Sequence, residues 1–151
     1  GFGGEEFFPG VIDQPLLQPA RISAWKTGVT WSIIVGHPRG TTLVQGSAGF
    51  VDGKLDEEDV DVAMLGIAGL TALGPDYTKT FWNETVTATD ATRVIAIHHD
   101  DYTDPFGVVR LAPNMFDNVV RTAGWLDEIA ASGEREVTIE LPPFGKPMIL
   151  Y

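Results

Sequence analysis

Residues 61–68, DVAMLGIA, and residues 93–97, RVIAI, are the two stretches on which the fold turns. Each is a nearly continuous apolar run of strand length, the signature of a strand covered on both faces rather than one with a wet side. Between them Pro75 opens a stretch reaching Thr89 in which Tyr77, Phe81, Trp82, Thr85 and Val86 recur at helical spacing. Proline at the first position suits a helix start, because that N–H has no partner in the helix anyway. Strand, helix and strand in this order predict a parallel pair joined by a right-handed crossover.

Working outward, Val29, Trp31, Ile33 and Val35 alternate with Thr30 and Ser32, a period of two that reads as a strand. The turn His37-Pro38-Arg39-Gly40 follows, and Thr41 to Gln45 reads as the returning arm of a hairpin ending in the small residues Gly46-Ser47-Ala48-Gly49. Downstream, Met115 to Ala131 reads as a helix that buries Phe116, Val119, Val120, Ala123, Leu126 and Ile129, and Glu136 to Leu141 as a last strand closed by Pro142-Pro143. The opening segment GFGGEEFFPGVIDQPLLQPA suits neither a helix nor a central strand, and its Phe2, Phe7, Phe8, Leu16 and Leu17 need a surface to cover. The expected organisation is an irregular connecting segment over 1–28 and an α/β unit over 29–151, a mixed sheet with flanking helices.

Composition narrows the function. A chain of 151 residues with 44% hydrophobic content can bury one core. Ten basic against twenty-one acidic side chains leave a formal charge of -11. Such a surface repels a phosphate backbone, so neither nucleic acid nor an anionic membrane is expected as a partner. The acidic run from Asp56 to Asp61 reads as a solvated loop. There is no cysteine, so a metal site would draw on His and carboxylate groups. The apolar runs are too short for a membrane helix, and a soluble chain is expected, with the cytoplasm favoured. A chain opening on Gly1 rather than Met is expected to have further sequence upstream.

The run RVIAI leads directly into His98-His99-Asp100-Asp101, which places four titratable groups at the carboxyl end of a buried strand, where open α/β sheets put their ligands. One reading is a metal site, in which an imidazole binds a cation through one nitrogen while Asp100 or Asp101 accepts a hydrogen bond from the other and fixes the tautomer. The other is a capping or loop cluster with both histidines solvated. His37, in a Pro-Gly turn, reads as an exposed loop histidine.

DVAMLGIAGL, the Tyr and Phe-Trp helix, RVIAIHHDDYTDPF and the upstream VQGSAGF together resemble the metallo-β-lactamase-fold hydrolases, in which a late buried strand ends in a segment of the form I-P-I-H-W-D-D-F. The likeness covers about residues 30 to 106 and points to the carboxyl-terminal half of that αββα sandwich. It implies that His98 is a metal ligand, with zinc, manganese or iron as the ion, one or two per molecule. His99 stands where the family more often carries an aromatic. Asp100 and Asp101 would orient the ligand or face the substrate. The family's H-x-H-x-D-H signature does not occur here, and the place of its bridging aspartate is taken by Gly46-Ser47.

Three functional readings follow, from different classes. The first is a metal-dependent hydrolase whose metal-bound hydroxide attacks an ester-, lactone- or amide-like bond of a small-molecule substrate. It would be complete only with an amino-terminal half from the same polypeptide or from a second chain. His98 would hold the metal, Ser47, Asp100 and Asp101 would shape the catalytic surroundings, and Phe7, Phe8 and His99 would border the substrate. The second is a non-catalytic half-domain that binds a partner protein through an exposed sheet face. A bare α/β domain with a small ligand near the acidic cluster is a third.

Overall fold

The computed structural model describes residues 8–26, 31–101, 103–113 and 117–151. The chain divides into two compact units, Gly1–Thr30 and Trp31–Tyr151. In the first, Ile22–Ala24 forms a single 3-10 turn, Phe8 and Leu16 are half-buried, and Leu17 stays exposed. Phe2 and Phe7, expected to need cover, lie outside the described residues.

The second unit is built on a five-stranded mixed sheet whose spatial order, β1-β2-β3-β4-β5, is the order of the sequence. Its strands are β1 (Ser32–His37), β2 (Gly40–Gln45), β3 (Val62–Gly66), β4 (Arg93–Ile97) and β5 (Thr138–Glu140). β1 and β2 form the expected antiparallel hairpin, His37 paired with Gly40 across Pro38-Arg39. From β2 onward every neighbour is parallel. The two apolar runs are adjacent strands, with Val62 to Gly66 in register with Arg93 to Ile97. Helices α1 (Leu70–Leu73) and α2 (Pro75–Trp82) occupy the crossover between them. α2 continues as a π-helical turn, Asn83–Thr87. There Thr85 and Thr89 are fully buried, and their hydroxyls donate to the carbonyls of Phe81 and Thr85 at 2.6 and 2.7 Å. A hydroxyl bonded back four residues satisfies itself inside a helix and tends to bend it.

One face of the sheet carries the core. Leu43, Ala63, Leu65, Val94 and Ala96 pack with Phe81, Trp82 and Val86 of the crossover and with Val119 and Leu126 of α3 (Val119–Ser132). Asn118 caps α3, its Oδ1 accepting from Arg121 N at 3.0 Å, so the helix begins at Val119 rather than at the expected Met115. That start sets its buried face as Val119, Thr122 and Leu126, with Ile129 packed alongside. The expectation that Val120 and Ala123 would be buried is overturned, since both are exposed; Phe116 lies outside the described residues.

The opposite face is covered unevenly. Ile95 and Val62 are buried, but Ile33 and Val35 of β1 remain 53% and 49% exposed, and Val44 and Met64 are half-buried beside them. At the amino end of the strands the chain terminus supplies cover: Arg93 donates to the carbonyls of Ile149 and Leu150 at 2.8 and 2.9 Å, and also pairs with Glu140. The Tyr151 hydroxyl bonds to Thr42 Oγ1. Among the described residues no helix is long and apolar enough to cross a membrane.

Candidate functional site

Three parallel strands end on one edge, and each exit carries polar or small residues. β2 leads into Gly46-Ser47-Ala48-Gly49, β3 into Ile67-Ala68-Gly69, and β4 into His98-His99-Asp100-Asp101. The edge is tightly knit. Ile67 N donates to Ile97 O at 3.1 Å, extending the β3–β4 ladder past Gly66. The β2 exit lies directly against Gly66, where an added Cβ would stand 2.5 Å from Gly46 O and 2.8 Å from Ser47 N. Glycine is required there because backbone occupies the space of a side chain.

The turn that carries Ser47 is held from beneath. Gln45, at 1% exposure, donates from Nε2 to Gly49 O at 2.5 Å and to Ser47 O at 3.4 Å, while its Oε1 accepts from Ser32 Oγ. The Tyr77 hydroxyl donates to Ala48 O at 2.8 Å. Burial and, secondarily, the nearby Asp52 carboxylate push the Tyr77 phenol above its ordinary pKa, so it remains a donor. Ser47 Oγ accepts the Gly49 N–H at 3.4 Å.

At β4 the backbone separates the two histidines. His98 has a φ of 54°, the left-handed region, and its side chain is exposed. A non-glycine residue held there costs on the order of 1–2 kcal/mol, and such outliers concentrate where a side chain must be aimed. The turn puts His99 on the inside: it is 9% exposed, and its Nδ1 has no hydrogen-bond partner among the described residues. Asp100 forms an isolated bridge with Leu111. Asp101 closes a local turn, its Oδ1 accepting from Thr103 N at 2.9 Å and Thr103 Oγ1 at 2.6 Å, and its N–H donates to Arg110 O at 2.8 Å. These bonds tie Asp100 and Asp101 to residues 103–111, fastened further by the Arg110–Asp104 ion pair, in which the guanidinium holds the Asp104 carboxyl below its usual pKa.

A buried acid that sequence spacing did not single out also meets this edge. Asp117, just before the cap of α3, is 7% exposed, and its Oδ2 accepts the Gly69 N–H at 2.8 Å. Its Oδ1 is buried with no hydrogen-bond partner. The junction is fixed by Thr71 Oγ1, which bonds to Asn118 O at 2.9 Å and to Thr122 Oγ1 at 2.8 Å. The pair Asp117-Asn118 ahead of an apolar helix is a legible helix-start signal, though nothing local announces its reach to Gly69.

The fold thus brings Ser47, His98, His99 and Asp100 to one edge. Asp101 is engaged in its own turn. Phe7 lies outside the described residues and Phe8 belongs to the first unit. Among the described residues no three His, Asp or Glu side chains converge as a metal-holding group. The orphaned nitrogen of His99 and oxygen of Asp117 nonetheless have the donor chemistry that zinc or manganese accepts. No protein-family model matches the chain, and neither the curated proteins nor the solved structures yield a match.

Proposed function

We propose that the chain is the carboxyl-terminal half of a metal-dependent hydrolase of the metallo-β-lactamase fold, acting on an ester-, lactone- or amide-like bond. The observation that carries this reading is the edge at which β2, β3 and β4 end together, with His98 in a left-handed turn at the end of the buried β4 strand. That is the position at which parallel α/β sheets bind ligands, and it agrees with the resemblance of RVIAIHHDDYTDPF to the family's ligand-bearing segment. When bound, a divalent zinc, manganese or iron ion supplies Lewis acidity to a carbonyl and acidifies water. His98 offers its exposed imidazole to that ion, Asp100 follows it two residues on, and Ser47 stands on the β2 exit, one strand beyond β3.

The half-exposed Ile33 and Val35, together with Val44 and Met64, support a second αβ layer against this sheet face. Apolar side chains on an open sheet face are stabilised by a facing layer. The same strip supports the alternative of a non-catalytic half-domain that binds a partner protein there.

Elemental analysis and hydrolysis of a generic ester or lactone, on the full-length protein and on its His98→Ala variant, test the reading. Metal content and turnover are expected to fall together in the variant. A variant that keeps its full metal content removes His98 from the site, and a metal-free, inactive full-length protein favours the interaction module.

A further inference from the structure

We propose that His99 Nδ1 and Asp117 Oδ1 are inward ligands of one divalent cation at the carboxyl edge of β3 and β4, an assignment that rests on the metal-dependent reading of the same edge. Both side chains are more than nine-tenths buried, and in each the named atom has no hydrogen-bond partner among the described residues. Leaving a buried polar atom without a partner is unfavourable, and more so where it belongs to a charged group. Two such atoms at one edge are an expensive arrangement unless a ligand meets them. Asp117 takes part in none of the ion pairs of the described residues, so its charge has no protein counterpart there.

Backbone geometry sets the two groups on neighbouring strand exits. Gly66 and Ile97 are register partners and the last residues of β3 and β4. Asp117 is tied to Gly69, just past the end of β3, and His99 follows Ile97 by two positions. Asp117 reaches this edge with one oxygen already used on Gly69 N, which fixes the carboxylate and leaves Oδ1 free. A nitrogen and a carboxylate oxygen form a donor set that zinc and manganese accept. Water would satisfy both atoms but leave the carboxylate charge uncompensated, whereas a cation meets both needs.

The test uses the full-length protein stripped of metal and titrated with Co2+, read by the ion's visible ligand-field bands and by calorimetry. The substitutions are His98→Ala, His99→Gln and Asp117→Asn, the last two chosen to keep shape and an acceptor; circular dichroism and thermal unfolding confirm folding in each. Losses of Co2+ affinity of at least tenfold in both His99→Gln and Asp117→Asn, with altered band positions, are expected. If only His98→Ala weakens binding, the inference falls and the hydrolase reading stands. If His99→Gln and Asp117→Asn weaken binding while His98→Ala does not, the inference stands and the role of His98 falls. Absence of saturable Co2+ binding in the unsubstituted protein overturns both. Should His99→Gln unfold, His99→Asn and the Asp117→Asn result alone carry the decision, since unchanged affinity in Asp117→Asn is sufficient to overturn the proposal.

Discussion

The Tyr77 hydroxyl donates to the Ala48 carbonyl at 2.8 Å, so the crossover helix α2 holds the exit turn of β2. Tyr77→Phe is expected to lower stability by about 1 kcal/mol and to raise amide exchange across residues 46–50. The phenol's folded pKa is raised, so its contribution is fully present below the ordinary value of about 10 and is lost as pH rises through the folded value. Alkaline unfolding followed by tyrosinate absorbance checks this, and Tyr77→Phe should remove the late-titrating phenol.

Gly66→Ala sets a Cβ 2.5 Å from Gly46 O, and the neighbour that must yield is backbone. A loss of about 1–3 kcal/mol is expected, together with displacement of the Ser47 turn. Gly36→Ala is the matched control: its Cβ meets nothing within 4 Å, and its effect should stay within about 0.5 kcal/mol. Chemical denaturation of the two variants side by side measures the difference, and equal stabilities would show that the β2 exit does not rest on Gly66.

Phe81 is fully buried between the sheet and its own helix, tilted against Phe50 at 6.2 Å between ring centres. Phe81→Ala is expected to cost about 3–5 kcal/mol, a large share of the roughly 5–15 kcal/mol that holds a typical domain. Urea midpoints determine the loss, and a cost near that of a surface change would mean that the helix layer is not packed on this sheet.

Acid should break the Arg110–Asp104 pair only once the pH has fallen below the ordinary carboxylate range. The Arg110 guanidinium donates to both Asp104 oxygens and depresses that carboxyl's pKa. A depressed folded pKa gives stability that is present above the ordinary carboxylate range and lost as pH falls through the folded value. Carboxyl chemical shifts across an acid titration should place Asp104 below the ordinary carboxylate range, and Arg110→Ala should return it to that range.

Much of the fold was legible because apolar runs report burial directly. DVAMLGIA and RVIAI read as buried strands, and the segments Val62–Gly66 and Arg93–Ile97 within them pair in parallel. The face of α3 was misread at Val120 and Ala123 because the phase of a helix depends on where it starts. Asn118 and the Thr71–Thr122 hydroxyl bond set that start, not the apolar period. At the site, the His-His-Asp-Asp string could be located but not oriented. A single left-handed φ at His98 decides which imidazole faces solvent, and no residue type dictates it. Asp117 was invisible for a different reason: its partner Gly69 lies 48 residues away.

The strand order has a bearing on how the chain assembles. Each strand lies beside its predecessor in sequence, so the sheet can grow by successive addition, the β1–β2 hairpin first and the longer crossovers after it. The bond between Tyr151 and Thr42 is different, spanning 109 residues. Its closure entropy is offset only after the intervening strands exist, so residues 149–151, tied to Arg93 and Thr42, are expected to join the sheet after its strands have paired.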